Sequence, residues 1–152
     1  MSQPHRAPKA PAMLRYQLTH PMILAALASA GHGSRILISD GHYPHTTGAN
    51  PAAERVYLNL APDRLLVTEV LAALADAAPI EAATVMAPPE GTPEPEVFAD
   101  FRAALPHLPA LGTLDRFGFY DAARGPDTAL VVATGDRRTY ANLLLTLGVR
   151  QG

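Results

Sequence analysis

The sequence predicts one layered α/β domain, a three-layer α/β/α arrangement with helices on both faces of a mixed, largely parallel sheet. Short apolar runs of strand length alternate with segments whose apolar residues recur at three and four. Proline, glycine and asparagine clusters separate the two kinds of segment. A chain of 152 residues, 48% hydrophobic and 17% charged, can bury roughly 70% of its unfolded surface around a single core.

Residues 1–12, MSQPHRAPKAPA, hold three prolines and no carboxylate, which predicts a disordered arm ahead of a domain over 13–152. Thr19 reads as an N-cap before Pro21, and Met22, Ile23, Leu24 and Leu27 give a helical apolar face that stops at Gly31. Arg35 to Asp40 reads as a buried strand ending in a loop over 41–53. Val56 to Leu60 reads as a strand, and Asp63 to Ala77 as a helix closed by Pro79. Glu81 to Met86 is strand, Ala87 to Pro95 a proline-dense loop, and Glu96 to Leu105 a helix ended by Pro106. Leu111 to Arg116 and Thr128 to Thr134 read as strands around a short helix at Phe117 to Ala123, and Asn142 to Leu147 as a last strand.

Composition excludes several chemistries. The absence of cysteine removes disulfides, thiol nucleophiles and thiolate ligands together. Lys9 is the only lysine and lies in the arm, which argues against Schiff-base chemistry, and no phosphate-loop, dinucleotide or nucleophile-elbow motif is present. A formal charge of −2 with scattered arginines gives no footprint for nucleic acid. Apolar stretches such as Met22 to Ala30 are far below the roughly 20 residues that span a bilayer. With no charged-then-apolar leader at the start, the expected location is cytoplasmic.

Histidine, carboxylate, tyrosine, asparagine and arginine remain, and they gather where an open α/β sheet places ligands, at loops beyond strand ends. In Gly31-His32-Gly33-Ser34, flanking glycines leave little bulk beside the imidazole, although a helix C-cap with a solvated histidine reads equally well. Asp40 ends an apolar strand, as a ligand-binding acid or as an Asx-turn over Gly41. Asp40, His42 and His45 have the residue types of a zinc or iron site but also read as solvent-facing loop residues. In Thr134-Gly135-Asp136-Arg137-Arg138-Thr139-Tyr140-Ala141-Asn142, Tyr140 and Asn142 both donate and accept, as alternating sugar hydroxyls require. Asp136, Arg137 and Arg138 there read as an ordinary charged turn. Arg116 precedes Phe117-Gly118-Phe119-Tyr120, whose phenylalanines read as core and whose Tyr120 keeps a polar tip.

GHG at 31–33, SDGHYP at 39–44, RFGFYDAA at 116–123 and TGDRRTYANLLLTLGV at 134–149 together resemble the fucose mutarotase and ribose pyranase (RbsD/FucU) family. The resemblance covers Met13 to Val149 and is nearer the fucose branch. It implies an RbsD-like fold, His32 as catalytic acid/base, and Asp40, Arg116, Tyr140, Ala141 and Asn142 as sugar contacts, with Tyr120 a further wall. It also implies no organic cofactor, no metal, and a homo-oligomeric ring, pentamer or decamer, with the pocket near a subunit boundary. Ser34 stands where the family often carries an acid after GHG, which leaves His32 less well supported if that acid orients it.

The implied reaction, interconversion of α and β anomers, takes a proton from the anomeric hydroxyl and gives one to the ring oxygen. An imidazole, with an ordinary pKa of roughly 6.5, serves both steps. Two other classes use the same residues: a ring-forming sugar-binding protein without turnover, and a small metal-dependent hydrolase built on His32, His42, His45 and Asp40. Within the sugar reading, a pyranose carrying a methyl group, such as L-fucose, is expected to pack on Tyr43 or Tyr120, ahead of D-ribose.

Overall fold

The computed structural model describes residues 13–152, and the arm predicted for 1–12 lies outside the described residues. Elements follow in the order α1 (Pro21–Ser29), β1 (Arg35–Ser39), β2 (Glu54–Tyr57), α2 (Val67–Ala77), β3 (Ile80–Met86), α3 (Val97–Ala104), β4 (Gly112–Leu114), α4 (Arg116–Ala123), β5 (Thr128–Ala133) and β6 (Leu143–Leu147). The strands form one sheet in the order β2-β5-β1-β6-β3-β4. Pairs β1–β5, β2–β5 and β3–β4 are parallel, and β6 alone runs against its neighbours β1 and β3.

Alternation along the central strands divides the core in two. Ile36, Ile38, Leu130, Val132, Leu143 and Leu145 face α1, α2 and α3, where Ile23, Leu71, Leu74 and Phe101 are buried. Leu37, Val131 and Leu144 face the other way, onto Phe119 and Ala123 of α4 and onto Tyr43 and Ala49 of the loop after β1. The helices therefore cover both faces, as the pattern predicted.

Registers Ser39 with Ala133, Tyr57 with Ala133, and Ile38 with Leu143 bring the ends of β1, β2 and β5 and the start of β6 to one edge. The loops after β1 and β5 therefore meet. At the opposite edge, Arg35 pairs with Thr146 and Ile80 with Leu147, so the loop before β1 lies beside the start of β3.

The helix starts differ from the sequence reading, α3 and α4 by one residue, at Val97 rather than Glu96 and at Arg116 rather than Phe117, and α1 and α2 for identifiable reasons. In α1 the cap is His20, whose Nδ1 accepts from the Ile23 amide at 3.5 Å, rather than Thr19. In α2 the helix begins at Val67 instead of Asp63, because Asp63 has φ 61° and its amide donates to the Gly135 carbonyl at 2.6 Å. That turn presses so closely on Gly135 that a Cβ there would run into the carbonyls of Ala61 and Arg64.

Asp136, read as part of a solvated charged turn, is fully buried. It accepts from the Val67 amide at 3.0 Å, closing the α2 N-terminus, and from the Arg138 amide, Nε and Nη2 at 3.0, 3.0 and 2.7 Å. Burial pushes its pKa up, but the bonds from Arg138 and Val67 outweigh burial and hold the carboxyl below its ordinary 3.8. A depressed folded pKa means the stabilisation is present above 3.8 and is lost as pH falls through the lower folded value. Asp136→Ala is expected to cost about 1–3 kcal/mol in urea unfolding at neutral pH. Its gap to wild type should narrow as the pH is taken well below 3.8, and a pH-independent gap would contradict the assignment.

Candidate functional site

At the edge where β1 and β5 end, Asp40 and Asn142 are both buried and bonded to each other twice. The Asp40 amide donates to Asn142 Oδ1 at 2.8 Å, and Asn142 Nδ2 donates to Asp40 Oδ2 at 3.1 Å. Asp40 Oδ1 accepts from the amides of His42 and Tyr43 at 2.9 and 3.0 Å. Asp40 thus makes the Asx-type turn over Gly41 and places a buried carboxylate at the strand end. Burial pushes its pKa above the ordinary 3.8, and the bonds from His42, Tyr43 and Asn142 offset that only in part.

Tyr140 and Ala141 precede Asn142 on the same loop. Ala141 is fully buried and Tyr140 is half-buried with φ 60°, a left-handed backbone that a bulky side chain adopts at a cost of order 1–3 kcal/mol. Strain of this kind clusters at ligand-binding sites, and the Tyr140 side chain also packs against both core clusters. Tyr120 of α4 is half-buried against the ring of Tyr43, centroids 5.3 Å apart and edge to face. The structure therefore gathers Asp40, Tyr120, Tyr140, Ala141 and Asn142 around one strand edge.

Arg116 shares that edge, at the start of α4 after β4, but three strands across from β1. Its guanidinium lies over the exposed Phe117 ring at 4.6 Å from the centroid. Phe117 was read as core; only Phe119 is, because α4 presents Phe119 to the sheet and turns Phe117 outward. Tyr43 was read as a pocket wall, but it is buried and its hydroxyl donates to the Gly48 carbonyl at 2.5 Å.

His32 lies at the other edge. The five residues of β1 alone, at about 3.3 Å each, separate it from Asp40 by roughly 16 Å. It is exposed, and its Nε2 donates to the Glu81 carboxylate, 3.0 Å from each oxygen. Beside the pair opens a cavity of about 550 Å³ lined in part by Pro79, His107, Gly148 and Val149.

The histidines of the DGHYPH segment are engaged separately. His42 Nε2 donates to the Arg137 carbonyl at 3.0 Å, while His45 Nδ1 lies 2.8 Å from the Ser39 hydroxyl. Burial lowers the His45 pKa. Among the described residues, no group of three His, Cys, Asp or Glu side chains could hold a metal ion.

Residues 13–150 match the model of the RbsD / FucU transport protein family. The chain belongs to the RbsD/FucU family. Among solved structures it is similar to FucU from Bifidobacterium longum at 27% identity, TM-score 0.75, covering 87% of this chain and 95% of that one. It shares its fold with the fucose mutarotase from Streptococcus pneumoniae solved with L-fucose, at 23% identity, TM-score 0.74 and coverage of 87% and 94%. Bacillus subtilis RbsD complexed with D-ribose matches at 22% identity, TM-score 0.78 and coverage of 91% and 100%.

In this RbsD/FucU chain Ser34 does not touch the His32 ring; its Oγ accepts from the Gly31 amide at 3.2 Å. The acid beside the ring is Glu81, which sequence reasoning missed because it comes from β3, 49 residues away in the chain. Only the β3–β6 pairing brings it there.

Asn142→Ala removes one bond that holds the Asp40 carboxylate charged and one that satisfies the Asp40 amide. The Asp40 pKa is expected to rise further above its wild-type value in a ¹³C carboxyl titration, with stability falling by about 1–3 kcal/mol. A downward shift would contradict the pairing described here.

Proposed function

We propose that this protein is a sugar mutarotase, interconverting the α and β anomers of a reducing monosaccharide by general acid/base ring opening and closing. The observation that carries the reading is the buried Asp40–Asn142 pair beside Tyr120 and the strained Tyr140: a carboxylate, an amide and two phenols where hydroxyls can be held against a ring face. Family membership supports it. So do the ligands named for two structures of the same fold, L-fucose and D-ribose.

In the proposed reaction a base takes the proton of the anomeric hydroxyl, the C1–O5 bond breaks, and O5 receives a proton. The open aldehyde turns about C1–C2 and recloses on its other face by the reverse steps. No atom is lost or gained, and no redox change occurs. Asp40, Asn142 and Tyr140 hold hydroxyls in register, Ala141 supplies backbone, Tyr120 faces the apolar side of the sugar, and Arg116 binds from the rim. His32 is assigned the proton transfers. Since it stands at the far edge of its own sheet, it reaches a sugar held by Asp40 only from a second copy of the chain. The assembly assigned is the homo-oligomeric ring, pentamer or decamer, that the family resemblance implies, at work in the cytoplasm.

The substrate is assigned as L-fucose or a hexose of the same configuration. With Tyr43 in the core, Tyr120 is the ring left to pack against the methyl group, a preference over D-ribose limited to roughly 1–3 kcal/mol. Exchange NMR on L-fucose, D-galactose and D-ribose at equal concentration tests substrate and turnover together. L-fucose is expected to exchange fastest. Faster ribose pyranose–furanose exchange would assign the ribose activity, and no catalysed exchange with any sugar that binds would leave a binding protein. His32→Ala is expected to lower exchange by at least about tenfold, and light scattering to give several times 16.1 kDa. An alanine variant as fast as wild type, or a monodisperse monomer, would overturn these assignments.

A further inference from the structure

We propose that Phe117 is a positioning residue for Arg116, carrying its guanidinium over the ring face at the rim of the site and keeping the N–H donors free for sugar hydroxyls; this rests on Arg116 being a sugar contact of the proposed reaction. The guanidinium carbon lies 4.6 Å from the ring centroid, inside the roughly 6 Å of a cation–π contact. A ring face holds a cation without engaging its hydrogen-bond donors, so the five N–H groups of the fork stay available. Among the described residues the Arg116 side chain makes no ion pair and no hydrogen bond, and the ring is what holds it. The neighbouring carboxylate is engaged elsewhere: Asp115 caps α4, its Oδ1 accepting from the Gly118 amide at 2.7 Å.

The helix itself does not call for this arrangement. Successive residues of a helix do not face one another, so the two side chains meet only by folding together. A cation in the first turn works against the helix dipole, yet Arg116 opens α4. Phe117 is 64% exposed, and a ring left so open to water adds little to folding. The ring that α4 gives to the core is Phe119.

Phe117 is in turn held from below. It meets Tyr120 edge to face, with centroids 6.4 Å apart and planes at 81°. Tyr120 meets the buried Tyr43 in the same way, at 5.3 Å and 76°, and Tyr43 meets Phe119 at 6.0 Å and 74°. Contacts of this kind have a preferred geometry. A run of rings therefore leads from the core under the Asp40 turn out to Arg116, which its own backbone places three strands away. A free arginine gives up rotamer freedom when it closes on a ligand, and one already seated on a ring gives up less. The benefit falls on binding rather than on proton transfer.

The test follows anomer exchange of L-fucose by NMR in Phe117→Leu, Phe117→Tyr, Arg116→Ala and the double variant Arg116→Ala/Phe117→Leu. Leucine keeps apolar bulk without a π face, so KM should rise about two- to fivefold, the weight of an exposed cation–π contact, with kcat and the thermal midpoint near those of wild type. Tyrosine keeps the face and should restore most of the loss. The double variant should have a KM no higher than Arg116→Ala alone, because nothing is left to position. A wild-type KM in Phe117→Leu, a tyrosine no better than leucine, or a large fall in its thermal midpoint would overturn the proposal. So would losses that multiply in the double variant, as expected of a ring that touches the sugar itself. The contact is read without any sugar from the Arg116 side-chain protons, which the ring should shift upfield in wild type but not in Phe117→Leu; unshifted protons in wild type would contradict it. An Arg116→Ala variant with unchanged KM would instead remove the sugar contact assigned to Arg116.

Discussion

The reciprocal pair of hydrogen bonds between Asp40 and Asn142 ties the end of β1 to the start of β6 where neither side chain meets bulk water. A carboxylate so placed is costly unless its oxygens are satisfied. Here the two loop amides and one side-chain amide satisfy them within the chain. The turn over Gly41 and the seating of Tyr43 are arranged around that carboxylate, through the bonds from the His42 and Tyr43 amides. A buried polar platform results at this sheet edge, beside Ser39, Thr134 and Asp136.

The reversed direction of β6 determines what lies on that edge. Because it runs against β1, Asn142 at its start comes beside Asp40 at the end of β1. Gly148 after its end comes beside the His32 loop and Glu81. One strand thus anchors the Asp40–Asn142 pair at one edge and the His32–Glu81 pair at the other. Within a single chain they cannot act on one molecule, and the proposed activity follows only when copies meet edge to edge.

Much of this was legible in the chain because local patterns fix it. The apolar runs over 35–40, 81–86 and 128–134 have the length and bounding turns of buried strands, and Asp40 and Asn142 were visible as polar residues bounding such runs. What escaped depends on distant contacts. The turn at 63–66 carries a helical apolar pattern, yet its geometry is imposed by Gly135 from the far side of the chain. Phe117 and Phe119 look alike in sequence, and only the docking angle of α4 decides which is buried. Asp136 was misread as solvated because the helix end it caps lies 69 residues away. Glu81 carried no signal at all until β3 was paired with β6. The split of His32 from Asp40 is equally hidden, since a spacing of eight residues says nothing until a strand is known to lie between them.

That split makes the central claim testable by complementation. His32→Ala and Asn142→Ala each disable every site in a homo-oligomer, but at different edges. Subunits of the two variants, unfolded together and reassembled at equal amounts, should regain about a quarter of wild-type anomer exchange, since random pairing restores both edges at that fraction of interfaces. Mixed assemblies no more active than either parent would show that His32 and Asp40 do not share a sugar across a subunit boundary.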